Sequence, residues 1–92
     1  MLTADKKKKI ITNLKKASGS LDKIIAMVEK DHYCVDVMQQ NLAVIGLLRS
    51  AHEMIMANHL STCFCSAMTS KNEAKKKRMI EEILTVTHLY NK

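Results

Sequence analysis

The chain has 92 residues, with no proline, no tryptophan and only two glycines; Phe64, Tyr33 and Tyr90 are its only aromatic residues. So few aromatics leave a core that must be aliphatic and methionine-rich, with seven methionines to draw on. One domain of this length lies near the lower limit for a self-sufficient core, and a thin helical protein completes such a core by oligomerising. No long apolar run is present, and the lysine-rich start is followed by no apolar segment of the kind a secretory leader carries. Neither a signal peptide nor a transmembrane helix is expected, which points to a cytoplasmic protein. No strand pattern and no internal repeat is found. Nothing reads as a catalytic pocket, so an enzyme is not expected.

What is present is positive charge and helical periodicity. The formal net charge is +6, and it is uneven. Lys6, Lys7, Lys8, Lys9, Lys15 and Lys16 crowd the start, and Lys71, Lys75, Lys76, Lys77 and Arg78 form a second cluster. Two solvated helix faces or a surface for nucleic-acid phosphates would each account for them. Ile10, Leu14, Ala17, Leu21, Ile24 and Val28 recur at spacings of 4, 3, 4, 3 and 4, which predicts a helix over about residues 4–30 with Thr3 as its cap. Gly19 weakens it slightly. Asp31 is the expected cap of a second helix, starting near His32 and unbroken to about Thr69. Its stripe is Met38, Leu42, Ile45, His52, Met56, His59 and Cys63. A helix that long outreaches a chain of this size and is expected to pair with the same helix of another protomer. Ser70 and Glu73 have capping-box spacing, so a third helix is expected from Lys71 to about Tyr90, with Ile80, Ile83, Leu84 and Thr87 as a weak apolar face.

His59 and Cys63 stand four residues apart, so on a helix both side chains leave one face and can bind one ion. Alone, the pair is a weak signal and reads first as a buried and inert one. Cys34 changes that. It lies 25 positions before His59, about 37 Å along a continuous helix, too far to share an ion within one chain. In an antiparallel pair of such helices, Cys34 of one protomer can lie beside His59 and Cys63 of the other. Cys34 also falls in the first turn of its helix, where the macrodipole favours negative charge. An odd cysteine count in a reducing compartment points to ligands or reactive thiols rather than disulfides. Two thiolates and one imidazole form a soft set that favours Cu(I), whereas structural zinc would want a fourth ligand. Cys65 is off the His59–Cys63 face. His52 and Met56 read as packing residues, and His32 and His88 as surface residues.

Tyr33-Cys34-Val35-Asp36-Val37 with Gln40, then Asn58-His59-Leu60 with Cys63, resemble the copper-sensing repressor (CsoR) family, which has nickel- or cobalt-, formaldehyde- and persulfide-sensing relatives. Leu14, Gly19, the Lys30-Asp31 boundary and Glu81-Glu82-Ile83-Leu84 add to the likeness, which runs from about Lys9 to Leu89. The resemblance implies an all-α, three-helix protomer with a long central helix, a single domain over residues 1–92. It implies an antiparallel homodimer and a disc-like homotetramer, a dimer of dimers. It also implies a repressor that binds double-stranded operator DNA and leaves it when metal binds. Cys34, His59 and Cys63 match the copper branch ligand by ligand, making Cu(I) the expected ligand. Tyr33 matches the tyrosine that stands behind the first cysteine, and Glu81 or Glu82 the glutamate that stands behind the site. Basic faces on the first two helices make Lys8, Lys9, Lys15, Lys16 and Arg49 the candidate DNA contacts.

One stretch departs from the family. Where relatives often carry Arg-Leu-x-Arg-Ile-x-Gly-Gln, this chain has Asn13-Leu14-Lys15-Lys16-Ala17-Ser18-Gly19-Ser20. Lysine meets phosphate as a point charge and lacks the fork that reads guanine, so operator specificity is expected to differ. Of the alternatives, a nickel or cobalt sensor would recruit histidines near the N-terminus, and none precedes His32. A persulfide or formaldehyde sensor would use Cys34 as nucleophile, but the persulfide branch lacks the histidine and the formaldehyde branch lacks the second cysteine. A purely structural helical oligomer would leave the Cys-His pattern and the basic clusters unexplained.

Overall fold

The computed structural model describes residues 2–92, which are helical throughout apart from short turns. Helix α1 spans Ala4–Glu29, α2 spans Cys34–His59, and a π turn, Leu60–Phe64, joins α2 to the short α3, Cys65–Thr69; α4 spans Glu73–Tyr90. The all-α class and the helical runs expected from periodicity are therefore present. The described residues form two compact units, Leu2–Ala57 and Asn58–Lys92.

In the first unit, α1 begins as its sequence requires. Thr3 is extended (φ −68°, ψ 162°), and its hydroxyl oxygen accepts the Lys6 amide at 3.3 Å, satisfying one of the free donors of the first turn. The end of α1 corrects one expectation. Asp31 does not cap the second helix; it terminates the first. Its φ of 54° places it in the left-handed region. From there its amide donates to Val28 O at 3.1 Å, and the His32 amide donates to Met27 O at 3.0 Å. These two bonds make a Schellman motif, the device that usually employs glycine and that aspartate tolerates better than most residues. Helix α2 then starts at Cys34 rather than near His32, with the Val37 amide on Tyr33 O at 3.2 Å.

The two helices meet along one seam. Ala17, Ile24 and Val44 are buried together, with Val37 and Leu47 packed against them. Ile10, Met27 and Ala51 are also buried, and the Asn13 side-chain amide donates to Ser50 Oγ at 3.1 Å across the pair. On α1 the buried positions 10, 17 and 24 recur every seven residues, as in a coiled coil. This divides the α1 stripe. Ile10, Ala17 and Ile24 fill the seam, while Leu14, Leu21 and Val28 lie one row round and stay exposed, Val28 by 58%. The stripe on α2 behaves likewise: Met38, Leu42 and Ile45 lie outside the protomer's core, Leu42 exposed by 65%.

In the second unit, α3 packs against α4 and Ala67 is buried. The expected Ser70–Glu73 capping box does not form. Ser70 instead ends α3, with its amide and hydroxyl on Ala67 O at 3.2 and 2.7 Å. Asn72 caps α4, its Oδ1 accepting the Lys75 amide at 3.1 Å, so the helix starts at Glu73 instead of Lys71. Asparagine two positions nearer the helix competes better than serine for the free amides. No helix among the described residues is long and apolar enough to cross a membrane.

Substitutions at the left-handed Asp31 should act on stability in opposite directions. Asp31→Gly should raise it, because glycine adopts that backbone without strain, and Asp31→Val should lower it by about 1–2 kcal/mol. Chemical denaturation at fixed protein concentration measures both.

Candidate metal centre

Helix α2 carries a candidate ligand at each end. Cys34 is its first residue and His59 its last. Cys63 follows within the π turn, a single turn beyond His59. All three cysteines are free thiols with exposed side chains, and His59 is partly exposed. The donors are thus chemically available, and the set of two thiols and an imidazole suits a soft, low-coordinate ion. Among the described residues of one chain, no three His, Cys, Asp or Glu side chains are gathered closely enough to hold a metal. His59 and Cys63 lie in the second unit, one turn apart in sequence; Cys34 belongs to the first.

Local bonding around His59 and Cys63 departs from the unbroken helix that periodicity predicts. The Asn58 carbonyl accepts hydrogen bonds from Ser61 Oγ at 3.1 Å and Thr62 Oγ1 at 2.7 Å. Thr62 Oγ1 also lies 3.7 Å from Cys63 Sγ. Asn58 is 7% exposed, and its Oδ1 is buried without a hydrogen-bond partner among the described residues. The one readable signal is a serine and a threonine placed three and four residues after Asn58, the spacing at which hydroxyls bond back to a helix carbonyl.

The remaining candidates fall as follows. Tyr33, immediately before Cys34, is exposed by 69%, and its carbonyl takes the Val37 amide. Glu81 and Glu82 are exposed on α4. Glu81 lines a cavity of about 430 Å3 with Met68, Glu73, Lys76, Lys77 and Ile80, a lining that does not include Glu82.

The basic residues of α1 form a face by helical phase. Lys8 and Lys15, like Lys9 and Lys16, are seven residues apart, close to two full turns. All four are exposed. Lys9 Nζ pairs with Asp5 at 3.4 Å in solvent, a contact of little energetic weight. Lys8 and Lys9 also line an open groove of about 460 Å3 with Thr12, Asn13, Ser50 and Met54. Arg49, beside Ser50 on α2, is exposed. Asn13, which replaces an arginine of the family pattern, has its amide engaged by Ser50.

The chain belongs to the metal-sensitive transcriptional repressor family, whose model matches residues 6–88. It is 42% identical over 80 residues to the copper-sensing transcriptional repressor CsoR of Mycobacterium ulcerans, covering 87% of this chain and 66% of that protein. It therefore spans just under two thirds of that relative's length. It is 32% identical over 90 residues to the copper-sensing transcriptional repressor CsoR of Bacillus subtilis, covering 97% of this chain and 86% of that protein. The fold matches the crystal structure of the copper-sensing repressor CsoR with Cu(I) from Geobacillus thermodenitrificans, with a TM-score of 0.85 over 100% of this chain and 93% of the other, at 24% identity.

Proposed function

We propose that the chain is a copper-responsive repressor. Metal-free, it binds double-stranded operator DNA; it is released when Cu(I) binds between protomers, held by Cys34 of one chain and by His59 and Cys63 of the partner subunit. The observation that carries this reading is helix α2. It runs as one helix of 26 residues from Cys34 to His59, and at 1.5 Å per residue its length separates the two by about 37 Å. A cysteine and a histidine so separated cannot close on one ion, but an antiparallel copy of the helix brings each beside the other's counterpart. The exposed apolar row of Met38, Leu42 and Ile45, continuing towards His59 on the same stripe, supplies a surface for that pairing.

Bound Cu(I) would supply a soft centre that two thiolates and one imidazole nitrogen satisfy without a fourth ligand. The protein's part is to hold the donors on separate chains. Completing the ligand set ties the foot of one α2 to the head of another. The basic face of α1 is packed on the same hairpin through Ala17, Ile24 and Val44, so it follows any change in how the α2 helices cross. Two quaternary arrangements then compete, one completing the ligand set and the other matching DNA, and each ligand weakens the binding of the other. Lys8, Lys9, Lys15, Lys16 and Arg49 would meet phosphates in the DNA-bound arrangement. Tyr33 and one of Glu81 or Glu82 would support the ligands from behind. A thiol-reactive sensor built on the exposed Cys34 is the alternative, and it leaves His59 and Cys63 without a role.

Two outcomes are expected at the metal site. Anaerobic titration followed by X-ray absorption should find one Cu(I) per chain with two sulfurs and one nitrogen. Cys63→Ser should abolish that site and operator release, while Cys65→Ser leaves both nearly intact. A four-coordinate site rich in nitrogen and oxygen would overturn the copper assignment.

DNA affinity should fall steeply with salt. Changing Lys15 and Lys16 together to alanine should flatten the dependence of log K on log salt by about 0.9 for each phosphate that is no longer neutralised, with copper affinity little changed. An unaltered slope would remove this face from the DNA surface.

A further inference from the structure

His59 and Cys63 are separated by the one turn of the described helices that is not α-helical or a cap. Leu60–Phe64 is a π turn, flanked by His59 (φ −60°, ψ −44°) and Cys65 (φ −59°, ψ −45°) in ordinary helical conformation. A π turn closes over one residue more than an α turn and so disturbs the regular pairing of carbonyls with amides. A side chain that inserts into the ladder of carbonyls and amides is one thing that bends or widens a helix. Two hydroxyls do so here on one carbonyl, Asn58 O: Ser61 Oγ at 3.1 Å and Thr62 Oγ1 at 2.7 Å. Asn58 is buried, so its carbonyl cannot readily turn to water instead. Beyond the widened turn the backbone tightens again, with the Cys65 amide on Thr62 O.

The geometry of the turn bears on the sulfur. In an α-helix a residue four positions on has turned about 40° past its partner. In a wider turn each step rotates less, and four steps fall short of a full circle. Cys63 therefore comes to the opposite flank of His59 from the one an α-helix would give it. Thr62 sits at the hinge of this change, its hydroxyl 2.7 Å from Asn58 O and 3.7 Å from Cys63 Sγ.

We propose that Ser61 and Thr62 are positioning residues: their hydroxyls hold the Leu60–Phe64 π turn, and that turn sets the direction in which Cys63 presents its sulfur beside the His59 imidazole. The proposal rests on the reading of His59 and Cys63 as metal ligands. It adds that this pair depends on two neighbours that never touch the ion.

The test compares Thr62→Val, Thr62→Ser and the double change Ser61→Ala with Thr62→Val, in the full chain. The first readout is amide hydrogen exchange across residues 60–65 in metal-free protein. Valine keeps the shape of threonine and removes the hydroxyl, so one of the two side-chain bonds holding the turn is lost, the segment should become α-helical, and exchange there should slow. The double variant should slow it further, and Thr62→Ser should match wild type. The second readout is Cu(I) affinity by competition with a chelator, together with the ultraviolet thiolate-to-metal band. Thr62→Val should weaken binding by about 10- to 100-fold, the cost usual for losing a group that orients a ligand, and shift the band, with Thr62→Ser restoring both. Unchanged exchange in the double variant would overturn the proposal, because the hydroxyls would not be holding the turn. Slowed exchange with wild-type copper affinity would overturn it too, because the turn would not be aiming Cys63. Loss of affinity that serine fails to restore would assign the effect to side-chain shape and overturn the hydroxyl role. Wild-type protein that binds no Cu(I) would instead defeat the reading of the site itself, whatever the exchange data show.

Discussion

The constraint on which the account depends is the stiffness and length of one helix. An α-helix fixes the distance between any two of its residues, and α2 has Cys34 as its first residue and His59 as its last. Nothing in a helix interior lets these ends approach one another. If both are ligands of one ion, the ion must join two chains, and the dimer becomes part of the binding chemistry rather than an addition to it. A chain with three aromatic residues and a narrow core has a second reason to associate.

Sharing of apolar surface follows from the same hairpin. Helix α1 carries apolar residues on two adjacent rows. One, through Ile10, Ala17 and Ile24, is buried against α2; the other, through Leu14, Leu21 and Val28, is left exposed by the protomer. Helix α2 divides in the same way, with Val44 and Ala51 buried, and Met38, Leu42 and Ile45 outside. A protomer that covers only half of its apolar rows holds its fold with one set, and on the proposed reading the other serves association. Because the basic face of α1 is attached to the same packed pair, a shift in how protomers meet carries those lysines with it. On the proposed reading, that is a physical route from the soft donors to the DNA-facing lysines that requires no rearrangement inside the hairpin.

Much of this is legible in the residues. The all-α class, the Thr3 cap, Cys34 in the first turn of a long helix and an end near Tyr90 all follow from periodicity and capping chemistry. Periodicity cannot say which row of a wide apolar stripe a protomer covers, since both rows carry the same spacing and the outcome depends on where the neighbouring helix lies. Asp31 is ambiguous because an aspartate just before a helix and one just after a helix look alike in sequence; its left-handed backbone decides between them. At Ser70 and Asn72 two good caps stand close together, and the one nearer the helix is used. The π turn is hidden because His59 and Cys63 share a face in both helical forms. In the structure the place is marked by two hydroxyls meeting on one carbonyl, Asn58 O.

The central claim, that the metal is shared between chains, is tested most directly by complementation. Cys34→Ala protein and the double variant His59→Ala with Cys63→Ala each lack a complete site as homodimers. Unfolded and refolded together, they form heterodimers in which the first chain supplies His59 and Cys63 and the second supplies Cys34. Tight Cu(I) binding should return in the mixture, at one site per heterodimer. Heterodimers that form and bind no copper tightly would contradict the claim.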